Sequence, residues 1–208
     1  MPVVHLLRHG EVYNPERVLY GRLPGYRLSD RGVEQSKLAA EWFAGHDVGY
    51  LVSSPLERAQ QTAVALAATT GLAVHIDERL TEAGNALEGI RDASAKELLG
   101  NPAHWRLFVN PFRPSWGEPY RQIAQRVFAA VLAGRDAAGG REAVCVTHQL
   151  PVVAVRRYVE GKRLFHDPRK RQCALASVTS LTFVGDTVVK VDYAEPAGAN
   201  PPGTVPGA

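Results

Sequence analysis

The sequence has few cysteines and no long apolar run. Cys145 and Cys173 are its only cysteines among 208 residues, too few for a disulfide framework and without the spacing of a metal-binding motif. No run of about 18 apolar residues indicates a transmembrane helix. The N-terminal residues MPVVHLLRHGE lack the basic and apolar regions of a signal peptide. We therefore expect a cytoplasmic protein without membrane association, whose cysteines are small buried residues.

A strong excess of one charge is also absent. The chain has 24 Lys and Arg against 21 Asp and Glu, a formal net charge of +3. This slight excess favours anionic small molecules but is too weak to indicate nucleic acid. The strongest basic cluster, within residues 156–171, is more simply a solvated face than a nucleic-acid patch or a rim for an anionic substrate. We expect no nucleic-acid partner, and the residues leave a homodimer open.

Short apolar segments alternate with amphipathic ones, which is typical of an α/β fold with a mostly parallel sheet. The predicted strands are Val3–Leu7, Tyr50–Ser53, Ala73–Ile76 and Ala143–Thr147, followed by a C-terminal antiparallel hairpin of Val178–Val184 and Thr187–Val191. The first predicted helix begins at Ser29 or Asp30 and ends near Gly45. The others are Leu56–Thr69, Tyr120–Leu132 and Pro151–Val159.

The pattern predicts a single domain over residues 1–194. Within it, residues 88–116 are rich in proline and aromatic residues. We interpret this stretch as an inserted flap, whose aromatic side chains either pack in the core or cap a pocket. In residues 195–208, 7 of 14 residues are Pro or Gly, so we expect a disordered tail.

Reactive side chains follow three of the predicted strands. Arg8 and His9 come directly after the first strand, Arg58 follows the second, and His148 follows the fourth. Glu82 lies in the loop after the third strand. Because sites in open α/β sheets gather outside the carboxyl ends of the strands, we expect these five side chains to converge at one edge.

Two imidazoles, two guanidiniums and one carboxyl group suit phosphoryl transfer. A neutral imidazole can attack phosphorus and form a phosphohistidine. Arginine forks match the charge and geometry of the phosphoryl oxygens, and a protonated carboxylic acid can protonate the leaving alkoxide. These steps require no metal. His5 and His9 would suit a metal only on a helix, and they lie on a strand and a loop, so we predict no metal site from that pair.

Several segments resemble the motifs of the histidine phosphatase superfamily, also called the phosphoglycerate mutase-like family. In chain order they are LLRHGE with LSDRGVEQ after it, SSPLERAQQTA, LTEAGNALEG, GEPYRQIAQRV and VTHQ. The resemblance covers about residues 3–190. It implies a three-layer α/β/α fold, with helices on both faces of a mostly parallel sheet and an antiparallel C-terminal strand or hairpin.

The resemblance also implies a role for each matching residue. His9 would be the phosphorylated nucleophile. Arg8, Arg58 and His148 would form the phosphate pocket. Glu82 would donate a proton to the leaving group and then act as the base for the water that hydrolyses the phosphohistidine.

Three further residues are candidate substrate contacts, namely Asn14, Gly21 and Gln149. The sequence departs from the family pattern near two of them, since Asn14 lies one residue closer to the catalytic histidine than is usual and Gln149 replaces a common glycine. Val12 stands where Thr or Ser is usual. The acid segment is short, so that Glu88 lies close to Glu82 and is the alternative acid.

These features predict a metal-independent phosphatase without a cofactor, acting on a small phosphorylated substrate through phospho-His9. One alternative is a mutase of the same family, which would return the phosphoryl group to a second hydroxyl group. The short 88–116 insertion and the Pro/Gly-rich tail favour access of water and hence hydrolysis. The other alternative is a module that binds phosphorylated ligands without turnover.

Overall fold

Six strands form one mixed sheet in the computed structural model, which describes residues 1–91 and 117–199. The strands are β1 (Val3–Arg8), β2 (Val48–Ser53), β3 (Val74–Ile76), β4 (Glu142–Thr147), β5 (Val178–Val184) and β6 (Thr187–Ala194). Their order is β3-β2-β4-β1-β5-β6. The first four in this order are mutually parallel, β5 is antiparallel to β1, and β6 is antiparallel to β5. The predicted mostly parallel sheet with a C-terminal antiparallel hairpin is confirmed.

Within the described residues, four helices pack on this sheet: α1 (Asp30–Phe43), α2 (Glu57–Thr70), α3 (Tyr120–Ala137) and α4 (Gln149–Val159). Short 3-10 helices lie at Glu78–Leu80 and Pro168–Lys170. Several elements are longer than predicted, because β2 begins at Val48 and β6 ends at Ala194. Likewise, α3 continues past Leu132 and α4 begins before Pro151. Proline is tolerated in the first turn, where backbone N–H groups have no partner within the helix. None of the helices in the described residues is long and apolar enough to cross a membrane.

Two apolar cores lie on opposite faces of the sheet. On one face α1 and α2 cover the sheet, with Phe43 and Leu66 packed near Leu7. On the other face α3 and α4 pack against Leu6 and Cys145. The three-layer α/β/α architecture is thereby confirmed. The central strands β1 and β4 are buried on both faces, which explains why their sequences are nearly continuous apolar runs. Both cysteines are buried free thiols, as expected.

Two regions predicted from the sequence fall largely outside the described residues. Of the predicted 88–116 flap, only residues 88–91 are described. Of the predicted 195–208 tail, only residues 195–199 are described.

Helix α1 is fastened to the loop that follows β1. The Ser29 hydroxyl accepts a hydrogen bond from the Gly32 N–H and so caps the helix. The same hydroxyl donates to Glu11, 2.8 Å away. The backbone of α1 also lies close to the backbone of this loop. A Cβ atom on Gly32 would overlap the Glu11 carbonyl oxygen, and a Cβ atom on Gly10 would overlap the Gly32 carbonyl group. Two glycines therefore let α1 approach the loop beside the strand end at Arg8.

We expect Gly32→Ala to lower the free energy of unfolding by about 1–3 kcal/mol, the usual cost of overpacking. The cost arises although alanine has a helix propensity about 1 kcal/mol better than glycine. Urea denaturation monitored by circular dichroism measures the change.

The matched control is Gly134→Ala in α3, where the new methyl group would lie 3.5 Å from the Cys145 sulfur, an ordinary contact. This variant should be as stable as the wild type or up to about 1 kcal/mol more stable. If the Gly32→Ala protein were as stable as the Gly134→Ala protein, the close approach of α1 to the loop after β1 would not require glycine at position 32.

Candidate active site

The two predicted catalytic histidines come together where β1 and β4 end. Arg8 pairs with Thr147 in the parallel register of these strands, so the next residue of each strand, His9 and His148, lies at the same edge. The His9 N–H donates to the Thr147 carbonyl oxygen at 3.1 Å. The two imidazole ring centroids are 5.1 Å apart, and both side chains are buried. A phosphoryl group bound beside one ring therefore lies within reach of the other.

One hydrogen bond sets the orientation and tautomer of His9. Its Nδ1 lies 2.7 Å from the Gly10 carbonyl oxygen, and a carbonyl oxygen can only accept, so Nδ1 carries the proton. Burial, followed by the charges of Arg58 and Arg8, lowers the pKa of His9 well below its ordinary value of 6.5. The ring is therefore neutral at physiological pH, with the Nε2 lone pair available as a nucleophile.

Two buried guanidinium groups supply positive charge to this pocket. Arg8 is 2% exposed and Arg58 is 1% exposed. Each donates to a carbonyl oxygen rather than to a carboxylate, Arg8 to Cys173 and Arg58 to Gly21, both at 2.6 Å. The Nε atom of each makes no hydrogen bond to any residue that the structure describes. Buried charges are costly unless they are paired, so the pair favours an anionic ligand.

Glu82 is the buried carboxyl group of the site. Its side chain is almost completely enclosed. Oε1 accepts a hydrogen bond from the Ala83 N–H at 2.8 Å, while Oε2 has no partner among residues 1–91 and 117–199. Burial raises the pKa of Glu82 above 4.5, although the Ala83 N–H and the charges of Arg58, Arg171 and Arg8 oppose the rise. These properties suit a carboxylic acid that holds a proton and faces a cationic pocket.

His148 is held by Ser54, a residue just after β2. The Nε2 atom of His148 lies 2.8 Å from the Ser54 hydroxyl oxygen, which also accepts from the Leu56 N–H. With the serine donating, the proton of a neutral His148 ring lies on Nδ1, a buried atom without a partner in the described part of the chain. Burial and then the Arg58 charge lower the pKa of His148 well below 6.5. His148 can therefore donate a hydrogen bond as a neutral ring, at the N-terminus of α4, where anions are favoured.

Comparisons with known proteins agree with this geometry. The profile of the Histidine phosphatase superfamily (branch 1) matches residues 4–196. The chain belongs to this superfamily. The family resemblance inferred from the sequence motifs is confirmed.

Individual relatives of this chain carry several names. The uncharacterised protein Rv0525 of Mycobacterium tuberculosis is 50% identical over 93% of this chain and 96% of its own length. A probable phosphoglycerate mutase, GpmB of Yersinia pestis, is 27% identical over 84% of this chain and 83% of its own. Among solved structures, a mycobacterial glucosyl-3-phosphoglycerate phosphatase in complex with inorganic phosphate superposes with a TM-score of 0.73. It is 25% identical and covers 95% of this chain and 99% of that chain.

The other predicted substrate contacts, Asn14, Gly21 and Gln149, differ in their hydrogen bonds. Both polar atoms of the Asn14 side chain bond to the Val18 backbone, at 2.8 and 3.0 Å, and the second N–H of the amide can still donate to a phosphate. Gly21 has a positive φ of 40° and offers its carbonyl oxygen to Arg58. Gln149 is buried, and its Oε1 accepts from Arg171 at 3.3 Å. The substrate contacts of these three residues stay predictions.

Glu82 and Glu88, the two carboxyl groups of the acid segment, differ in their hydrogen bonds. Glu88 Oε1 accepts hydrogen bonds from the backbone N–H groups of Arg22 and Asn85, at 3.1 and 3.3 Å. A side chain on Gly21 would overlap this carboxyl group. Glu88 therefore organises the loop, whereas Glu82 has a buried oxygen atom without a partner in the described part of the chain.

Several supporting residues were missed by sequence reasoning. Arg126 in α3 donates to the carbonyl oxygens of Arg79 and Thr81 at 2.6 and 2.7 Å, which fixes the segment that bears Glu82. Arg22 donates to the Glu82 carbonyl oxygen at 2.7 Å. Arg126 lies in the segment GEPYRQIAQRV, and Arg22 lies in a loop. The sequence does not indicate their contacts, because both donate to main-chain carbonyl groups that are distant along the chain.

Arg171 was also missed as a site residue, because it lies in the basic cluster interpreted as a solvated face. The side chain is only partly exposed and donates to His166 Nε2 at 2.9 Å and to Gln149 Oε1. The positive charge of Arg171 opposes the rise in the pKa of Glu82. This part of the basic cluster therefore faces the pocket.

At about pH 5.5 we expect His9 of the folded protein to be neutral, with its proton on Nδ1. The direction follows from its lowered pKa, since a histidine gains its proton only below its pKa. In the urea-unfolded chain, by contrast, about ten imidazoles are protonated at this pH for each one that is neutral. Long-range proton–nitrogen NMR spectra of the side chains distinguish the two forms, and the His9→Gln variant assigns the signal. A doubly protonated His9 in the folded protein at pH 5.5 would contradict the electrostatic account.

Proposed function

We propose that this member of the superfamily hydrolyses a small phosphomonoester without a metal, through a phosphohistidine on His9. The observation that carries the proposal is the arrangement around His9. The Gly10 carbonyl oxygen holds its proton at Nδ1, while two buried guanidinium groups, which make no carboxylate hydrogen bond within the described residues, lie beside the ring. A neutral nucleophile next to unpaired positive charge suits an incoming phosphate dianion.

In the first proposed step, Arg8, Arg58 and His148 bind the phosphoryl oxygens. The Nε2 lone pair of His9 attacks phosphorus, a P–N bond forms, and the P–O bond to the leaving group breaks. The carboxylic acid of Glu82 gives its proton to the departing alkoxide. Guanidinium and imidazole groups stabilise the charge on the phosphoryl oxygens, so the step requires no metal.

In the second proposed step, water takes the place of the alcohol. The Glu82 carboxylate accepts a proton from water as the water oxygen attacks phosphorus, and the P–N bond breaks. Inorganic phosphate leaves, His9 returns to its neutral form, and Glu82 is again protonated. The raised pKa of Glu82 suits both roles, because an acid that also serves as a base works best when its pKa is near the working pH.

Two considerations support hydrolysis over transfer to a second hydroxyl group. The match to this chain covers 99% of the phosphatase structure but 83% of the length of the mutase relative. The sequence between Glu88 and Tyr120 is also short. The substrate class we propose is a small phosphorylated metabolite, since the mild net charge gives no indication of a macromolecular partner.

We expect Glu82→Gln, assayed in EDTA, to lower kcat/KM on an alkyl phosphate about 10²–10⁴-fold, the usual contribution of general acid catalysis. The loss of kcat/KM on p-nitrophenyl phosphate should be much smaller, because nitrophenolate leaves without a proton and kcat/KM does not include the later hydrolysis of the phosphohistidine. His9→Ala should abolish turnover of both esters. Phosphate release is the measurement.

Glu88→Gln is the matched control. Its amide oxygen can still accept the bonds from Arg22 and Asn85, so its kcat should stay within a few-fold of wild type on both esters. Loss of wild-type activity in EDTA would contradict metal independence. Equal losses of kcat/KM for the Glu82 variant on the two esters would remove Glu82 as the acid. Binding of phosphate without any turnover would favour the non-catalytic alternative.

A further inference from the structure

A second group of titratable side chains lies at the opposite end of the sheet from His9. His5, His46 and Glu142 each place one donor atom within 4.8 Å of the others, and no other such group of three occurs within residues 1–91 and 117–199. His5 is in β1, Glu142 is the first residue of β4, and His46 lies between α1 and β2. The separation of His5 from His9 along an extended strand is about 13 Å, so this cluster is not part of the phosphate pocket.

The donor atoms of the cluster converge on one carboxylate oxygen. Oε2 of Glu142 lies 3.1 Å from His5 Nε2 and 2.8 Å from His46 Nδ1. Tetrahedral coordination by Zn²⁺, with bonds of about 2.0–2.1 Å, requires donors roughly 3.3 Å apart. The present spacing is therefore within about half an ångström of that geometry for these two pairs.

The fold holds these side chains in place. The Glu142 N–H donates to the Asp47 carbonyl oxygen at 2.9 Å, and the His46 N–H donates to the Phe43 carbonyl oxygen at 3.0 Å. The His46 ring lies against Trp42, with centroids 4.2 Å apart. The turn that carries His46 is thus fixed against the first residue of β4, and a cation would need no rearrangement of the backbone.

His5 also has the environment of a metal-binding histidine. Its ring is 2% exposed, and Nδ1 lies 2.8 Å from the Ser180 hydroxyl oxygen in β5. When that hydroxyl accepts from Nδ1–H, the Nε2 lone pair points toward Glu142. Histidine ligands in metal sites are commonly oriented by such a hydrogen bond from the other ring nitrogen.

We propose that His5, His46 and Glu142 bind a divalent transition-metal cation. Among such cations, Zn²⁺ best matches this ligand set and its donor spacing. Two imidazoles and one carboxylate are a known zinc ligand set with a fourth position left for water. The side chains of His46 and Glu142 are 27% and 26% exposed, which gives a cation and its water ligand a path from solvent. The bound cation would join β1, β4 and the turn after α1, and would stabilise the amino end of the sheet.

The test uses tag-free protein stripped with chelator, then titrated with Zn²⁺ by calorimetry. We expect one cation per chain in wild type and at least tenfold weaker binding in His46→Ala and Glu142→Gln. Co²⁺ bound to the same site should show the visible absorption of tetrahedral coordination. At about 100 times its dissociation constant, Zn²⁺ should raise the thermal unfolding midpoint of wild type by roughly 5–10 °C.

Two controls locate the cation. His75→Ala removes an exposed histidine of β3, and His9→Ala removes the imidazole of the proposed active site. Both should bind Zn²⁺ as wild type does. Absence of saturable binding, or equal binding by the two cluster variants and wild type, would overturn the proposal and leave a carboxylate that accepts two imidazole N–H bonds. The inference does not rest on the proposed function, because the readout is binding and not turnover.

Discussion

Burial of two guanidinium charges that make no carboxylate hydrogen bond within the described residues is the constraint on which the rest of this site depends. Arg8 extends from the last position of β1, and Arg58 from the first turn of α2. Within residues 1–91 and 117–199, Arg8 donates to the Cys173 carbonyl oxygen and Arg58 to the Gly21 carbonyl oxygen. The loops that carry those carbonyl groups must therefore fold over the carboxyl edge of the sheet for these bonds to form. A phosphoryl group would supply the negative charge that these bonds do not provide.

The same positive charges set the protonation of their neighbours. Together with burial they hold the pKa of His9 low, so that the nucleophile stays neutral. Burial alone would raise the pKa of Glu82 further, and the arginines restrain that rise. One arrangement of charge thus yields a free imidazole lone pair and a carboxyl group that can hold and release a proton. Separating the pKa values of two groups through their environments is a recurrent means of assigning acid and nucleophile roles.

Much of this arrangement could be predicted from the sequence, because it depends on local patterns. Apolar runs marked the strands, and Arg8, His9 and His148 follow two strands whose parallel pairing brings their ends together. Contacts that depend on distant main-chain groups could not be predicted, such as the bond from Arg8 to the Cys173 carbonyl oxygen, 165 positions away. The cluster of His5 with Glu142 joins residues 137 positions apart, a pairing that only the register of β1 with β4 reveals.

The central claim is that phosphoryl transfer passes through His9, and trapping the intermediate tests it most directly. Wild-type protein would be mixed with an isotopically labelled phosphomonoester in EDTA and quenched in base within milliseconds, since phosphohistidine is labile to acid. The account predicts label on Nε2 of His9, formed at least as fast as turnover and released to water as inorganic phosphate. Release of phosphate without a labelled enzyme, or label on another residue, would contradict it.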